Sequence, residues 1–313
     1  LGTDLEPDPL RLQPPYPTVQ TSPFIMKVSA FTFIRNGEML GYPFIESIQS
    51  ALPIVDEFVI AVGRSEDQTL ARIEAIDSDK IRIIKTEWNE VMQDRGFVYA
   101  QQKMIAQFNC TGDWAFYLEG DELLHEKDLE TIHNSMARHL DNPEVEALYF
   151  DYYHFYGKPD QIGIAGYKRA PRIIRNSIRN YSPDGLFFVV MDQNKKGRYP
   201  KAAHAGCHIY HYGHVRKADR NNAKIKQVSR YWGDENPEAF STYGNIDLGE
   251  LRPFTGTHPA IVGDWIKTEA ETEFTQNPSY KITRKDRKHR IRFWLDEKLG
   301  WDISKKHYIE AKI

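Results

Sequence analysis

The sequence predicts an α/β protein: a mostly parallel sheet with helices on both faces, followed by a helical C-terminal region. Three observations predict it. Short apolar runs recur from Met26 onward. They lack polar alternation, as strands covered on both faces do. Stretches with helical apolar spacing separate them, and parallel strands need such crossovers.

Taken in order, Val28–Ile34 (VSAFTFI) is the first strand. Tyr42–Leu52 carries Phe44, Ile45, Ile48 and Leu52 at helical spacing. Phe58–Val62 (FVIAV) is the second strand, Leu70–Ile76 is helical, and Ile81–Ile84 (IRII) is the third strand. In the helix Phe97–Phe108, Phe97, Ala100, Met104, Ile105 and Phe108 fall on one stripe. Trp114–Leu118 (WAFYL) is the fourth strand.

Length and composition narrow the possibilities. With 313 residues the chain is one large domain or two modest ones. Apolar residues at 41% and charged residues at 27% exclude a disordered chain, a fibre and a multi-pass membrane protein. No transmembrane helix is expected, because no run of uncharged apolar residues is long enough. A net charge of −3, from 41 basic and 44 acidic residues, argues against a nucleic-acid partner. Two cysteines, Cys110 and Cys207, make no disulfide framework and point to a reducing, cytoplasmic setting. Residues 1–25 contain Pro7, Pro9, Pro14, Pro15, Pro17 and Pro23 and no signal-peptide pattern, so they read as a flexible Pro-rich extension.

Each strand ends in a polar cluster. The clusters are Arg35-Asn36-Gly37-Glu38, Gly63-Arg64-Ser65-Glu66-Asp67, Glu87-Trp88-Asn89 and Glu119-Gly120-Asp121-Glu122. Open α/β sheets bind ligands at the carboxyl ends of their strands. Glu119 and Asp121, two apart with a glycine between, can converge on one hard divalent cation. The alternative is a helix N-terminus beginning at Glu122, where acids complement the helix dipole.

These blocks carry a resemblance. From Met26 to about Leu124 the chain resembles the nucleotide-sugar-binding half of the family 2 glycosyltransferases, with their Rossmann-like GT-A fold. It looks most like the branch that includes lipooligosaccharide-core glucosyltransferases. Ile34-Arg35-Asn36-Gly37-Glu38 matches the polar turn after the first strand. Ser65, Asp67 and Thr69 match the turn after the second, and Gly112-Asp113-Trp114 a later turn. Glu119-Gly120-Asp121 stands for the Asp-x-Asp metal motif. Two departures are a Glu for its first Asp, and Val62-Gly63 where many members carry an acid that reads the base.

The resemblance implies sugar transfer from a nucleoside-diphosphate donor to a glycan or other hydroxyl acceptor, with inversion, using manganese or magnesium. It implies donor contacts from Arg35, Asn36, Glu38, Ser65, Asp67 and Glu119. Asp121 would be the indispensable metal ligand, and Asp121→Ala is expected to leave the melting temperature nearly unchanged. Residues 26–124 would be the donor half and 125–215 the acceptor side of one GT-A catalytic domain, with 216–313 the helical region. Two other readings stay open: a nucleotidyltransferase for sugar nucleotides on the same fold, and a non-catalytic glycan- or nucleotide-binding module. A dinucleotide oxidoreductase lacks its glycine fingerprint here.

Downstream, Ala203–Arg216 (AHAGCHIYHYGHVR) holds four histidines and Cys207. As a strand it sends His208 and Tyr210 to one face and Cys207, Ile209 and His211 to the other, which spoils a closed zinc site; as a helix it would favour one. By the resemblance, His211 beside Gly213 would be a further metal or diphosphate contact, with a core or surface histidine making ordinary hydrogen bonds as its alternative. Inversion needs a general base beyond the metal motif. Asp184, in Ser182-Pro183-Asp184-Gly185, is the candidate, with ordinary turn chemistry as its alternative. Asp151 is the second candidate, or else an arginine's partner. The aromatic strand Leu148–Tyr156 suits stacking on sugar rings. The basic stretch Arg284–Arg292 allows at most peripheral membrane contact, or is a solvated face.

Overall fold

A computed structural model describes residues 26–233, 244–271 and 273–313. The expected Pro-rich extension lies outside the described residues. β1 (Val28–Ile34), β2 (Glu57–Gly63), β3 (Ile81–Thr86) and β4 (Trp114–Tyr117) run parallel in the order β3-β2-β1-β4. Beyond β4 the sheet changes direction. β5 is the short strand Glu122–Leu123, and β6 (Ala147–Tyr156) leads into the hairpin strand β7 (Lys158–Gly163). β8 (Arg169–Arg175) lies antiparallel between β4 and β6. A separate three-stranded sheet of β9 (Asn180–Tyr181), β10 (Val189–Met191) and β11 (Gly197–Arg198) frames the turn that carries Asp184.

β12 (Lys201–His214) runs parallel to β6 and pairs antiparallel with β5 through Tyr210 and His211. Its register is irregular. His204 and His208 face Tyr149 and Asp151, so four steps along β12 cover two along β6. Gly206, at φ 92°, accommodates the bulge. The longest ladders, β1–β2, β2–β3 and β6–β12, are all parallel.

The helices are α1 (Phe44–Ala51), α2 (Thr69–Glu74), α3 (Phe97–Gln107), α4 (Leu129–Arg138), α5 (Ala218–Trp232), α6 (Gly263–Glu269) and α7 (Arg284–Leu299). Residues 216–313 also return to the sheet. Their strands β13 (Leu251–Pro253) and β14 (Ile309–Glu310) pair with β7 and β12.

Two-sided burial explains the missing alternation. Ala30, Phe58, Ile60 and Phe116 pack with Phe44 and Ile48 of α1 and Ile132 and Met136 of α4. Their neighbours Phe31, Val59, Ala61, Ala115 and Tyr117 pack with Ala106 of α3. Each fully buried phenylalanine contributes about 1.5–3 kcal/mol relative to exposure.

Three expectations change. On α3, Phe97 and Phe108 are exposed, and the buried side carries Val98, Gln102, Lys103 and Gln107. Most of these polar atoms find partners inside: the Thr86 hydroxyl donates to Gln102, Gln107 Nε2 donates to Asn180 while its Oε1 has no partner among the described residues, and Lys103 Nζ lies 4.0 Å from the ring centres of Tyr117 and Phe188. On β6, the rings pack within the fold. Tyr149 stacks on Tyr308 and Tyr153 on His208. Third, Glu122 begins a strand, and α4 starts only at Leu129, so Glu119 and Asp121 do not sit at a helix N-terminus.

Candidate active site

A cavity of about 340 Å³ opens at the carboxyl ends of β1 and β4, with α5 along one wall. Its lining includes Arg35, Glu119, Asp121, Asp184, His211 and Lys224. Two glycines make the arrangement possible. A Cβ at Gly120 would lie 2.9 Å from Ile34 Cδ1, so the chain between the two carboxylates runs close against β1. A Cβ at Gly213 would lie 2.5 Å from His211 Cε1, so the imidazole needs a glycine there.

One ligand atom each from Glu119, Asp121 and His211 lie within 4.8 Å of one another. Each side chain is held from behind. Glu119 accepts from Arg172 Nη2 at 2.8 Å. Arg172 also clamps the buried Glu122 through Nε (2.8 Å) and Nη2 (2.7 Å), and Tyr152 donates to Glu122 at 2.9 Å. Burial and the neighbouring Glu122 charge push the Glu119 carboxyl up to about 7, against the pull of Arg172.

Asp121 is only 2% exposed and is strongly neutralised. Its Oδ2 accepts from Lys224 Nζ at 2.8 Å and Arg216 Nη2 at 3.1 Å. Burial alone would raise its pKa, but Lys224, His211 and Arg216 hold it well below the usual carboxylate range.

His211 is oriented by a chain of obligations. His154 Nε2 lies 2.7 Å from the Tyr167 carbonyl, which can only accept, so Nε2 carries the proton. Burial, reinforced by His211, pushes His154 down to about 3 and keeps it neutral. Its Nδ1 therefore accepts from His211 Nδ1 at 2.8 Å. That leaves His211 Nε2 facing Asp121 Oδ1 across 3.5 Å. A proton or a cation between them relieves the repulsion of two acceptors. Mixed imidazole and carboxylate donors suit manganese better than magnesium. The site therefore fits a divalent cation on Asp121 Oδ1, Glu119 and His211 Nε2. We expect His154→Ala to weaken manganese binding about 10–100-fold, with His154→Gln, which keeps an acceptor, losing less. Manganese titration by electron paramagnetic resonance would show it; equal affinities would remove His154 from the site.

Asp184 lies on the cavity wall with Gly185 and Leu186. It also does turn work, since its Oδ1 accepts from Leu186 N at 3.0 Å. Asp151 pairs with Arg169 (2.8 Å) and His204 (2.9 Å) and does not line the cavity. Arg35 lines it, but its guanidinium bonds Glu90, the Arg64 carbonyl and the Tyr231 hydroxyl. The other expected donor residues staple two loops together. Ser65 Oγ accepts from Asn36 N at 3.0 Å, and Asn36 Oδ1 from Glu66 N at 2.9 Å. Asp67 accepts from Met39 N at 2.7 Å, and Glu38 from Gln68 N at 3.1 Å. None of Asn36, Glu38, Ser65 and Asp67 is among the cavity's lining residues. The zinc alternative fails on placement: Cys207 is in the main core, His208 stacks on Tyr153, and His204 binds Asp151.

The sequence reading did not assign Arg172, Glu122, His154, Arg216 or Lys224 to the site. A partial signal existed for one: Arg220, Lys224, Gln227 and Tyr231 recur at helical spacing, a polar face on α5 with something to meet. No helix among the described residues is long and apolar enough to cross a membrane.

No protein-family model matches the chain, and no curated protein matches it in sequence. Among solved structures, it is similar to residues 1–349 of TarS from S. aureus, at a TM-score of 0.37 and 15% identity over 65% of this chain and 64% of that one. The same fragment in complex with UDP-GlcNAc gives 0.38 and 16%, over 65% of each chain. Glucosyl-3-phosphoglycerate synthase from Mycobacterium tuberculosis, in complex with Mn2+, UDP and glucosyl-3-phosphoglycerate, gives 0.37 and 13%, over 65% and 77%. The match thus spans less than two thirds of the TarS fragment.

Proposed function

We propose that this protein is a metal-dependent glycosyltransferase of the GT-A, family 2 type. It would move a sugar from a nucleoside-diphosphate donor to a hydroxyl of a glycan or other acceptor, with inversion. The observation that carries the reading is one cavity in which Glu119, Asp121 and His211 converge and Asp184 also stands on the wall. The motif resemblance over residues 26–124, including the lipooligosaccharide-core branch, supports it.

In this reading Asp121, Glu119 and His211 hold a manganese or magnesium ion, which neutralises charge on the leaving diphosphate. Lys224 adds a fixed positive charge beside it. Asp184 takes the proton from the acceptor hydroxyl as its oxygen bonds the anomeric carbon. The bond from that carbon to the diphosphate oxygen breaks, and the nucleoside diphosphate departs. Asn36, Glu38, Ser65 and Asp67 would serve the donor indirectly, by fixing the loops at its edge. Arg35 would reach the donor only after leaving Glu90.

A panel of nucleotide-sugars, screened by thermal shift with and without manganese, tests the assignment. At least one UDP- or GDP-sugar should raise the melting temperature only with metal, and be slowly hydrolysed. One observation favours a second reading: Lys224 and Arg216 already neutralise Asp121. A non-catalytic binding module would show a shift that survives chelator, with no turnover.

The base assignment has its own test. Asp184→Asn should lower kcat at least about a hundredfold while leaving donor affinity unchanged. Parallel loss of donor binding would make Asp184 a turn residue alone.

A further inference from the structure

We propose that α7 and the segment following it dock on an anionic lipid bilayer surface. The inference rests on this helix and the segment after it, and does not depend on the sugar-transfer reading. α7 has two unlike sides. One side is fastened to the body: His289 to Glu250 at 2.8 Å, Asp296 to Lys168 at 2.6 Å, and Arg292 to the carbonyls of Ile164 (2.9 Å) and Gly166 (3.1 Å). The other side carries Arg284, Arg287, Lys288, Ile291, Trp294 and Lys298, all exposed and three or four residues apart or adjacent. Trp301 and Ile303 extend it beyond the helix.

The exposure is substantial for such side chains: Ile291 58%, Trp294 53%, Trp301 62% and Ile303 60%. Arg284, Lys285, Arg287 and Lys288 have no carboxylate partner among the described residues. A chain with a net charge of −3 thus concentrates unpaired cations on one helix and sets tryptophans beside them. Apolar side chains alone would suit a protein partner, and cations alone any polyanion. The combination matches a bilayer interface, where tryptophan sits at headgroup depth and lysine and arginine meet lipid phosphates. No helix among the described residues is long and apolar enough to cross a membrane, and the contact proposed is a peripheral one. The position also fits a role. Arg292 and Lys168 tie α7 to the loop of residues 164–168, whose Tyr167 lines the cavity. The docked surface therefore lies beside the cavity wall.

The test is sedimentation of the full chain with vesicles of phosphatidylcholine alone and of phosphatidylcholine mixed with phosphatidylglycerol. Binding should occur to the mixed vesicles only, weaken with salt, and shift tryptophan emission to the blue. The triple variant Arg284→Glu, Arg287→Glu, Lys288→Glu should lose at least about tenfold in vesicle affinity. The pair Trp294→Ser, Trp301→Ser should also bind less and lose the blue shift. All five side chains are exposed, so both variants should melt like the wild type. Equal binding to neutral vesicles, or unchanged binding by both variants, would overturn the proposal. So would a switch from dimer to monomer in the tryptophan variant with vesicle binding intact, which would make the patch an interface between proteins.

Discussion

Asp121→Ala should abolish manganese binding and donor turnover, and should also cost about 3–5 kcal/mol of stability. The second half of this result reverses what the sequence alone suggests, a melting temperature nearly unchanged. The reason is burial. Arg216 is fully buried and Lys224 nearly so, and both rest on Asp121 Oδ2. Removing the carboxylate takes away the anion both cations bond directly and leaves them backbone carbonyls as hydrogen-bond partners. Asp121→Asn keeps the shape and an acceptor oxygen, so it should lose less stability while still losing metal. Urea denaturation beside manganese titration separates the two effects. An alanine variant as stable as the wild type would mean that Arg216 and Lys224 find other partners, and retained turnover would end the metal mechanism.

Arg172→Met should be the most damaging change away from the candidate metal ligands, at about 3–5 kcal/mol. Arg172 is 1% exposed and Glu122 fully buried, so methionine would strand a carboxylate in the core. Among the described residues, only the Tyr152 hydroxyl and the Glu119 backbone N–H would still donate to it. Adding Glu122→Gln should recover part of the loss, because it removes the stranded charge. The melting temperatures of the single and double variants give the coupling directly. A single variant that melts within a degree or so of wild type would show that the clamp is not needed.

These two predictions mark where the sequence was readable. The parallel half of the sheet could be read because Val28–Ile34, Phe58–Val62 and Trp114–Leu118 are uncharged and largely apolar, and strand ends then locate the cavity. Glu119, Asp121, His211 and Asp184 all reach that cavity, each flagged by a local pattern. Arg172 and Arg216 follow no local pattern, and Lys224 shows only the polar spacing along α5. Their meaning comes from carboxylates 50 to 103 residues away in the chain. The inward polar side of α3 was hidden for a related reason. Gln102 and Lys103 look solvent-facing until Thr86 and the rings of Tyr117 and Phe188 are beside them. The Asn36, Glu38, Ser65 and Asp67 pattern was visible, but loop-stapling and ligand-binding use the same residue types.

The bulged register of β12 bears on which changes of length this chain tolerates. Side chains alternate faces along a strand, so a single deletion between His204 and His208 would reverse every residue from His208 to Tyr212. Tyr210 and Tyr212 would turn from their core toward the cavity, and His211 would turn away from Asp121. Substitutions at Ala205 or Gly206 disturb packing locally, whereas an indel there would exchange the inside of the protein for the lining of its cavity. The spacing from His204 to His211 is in that sense a stronger constraint than the residues that fill it.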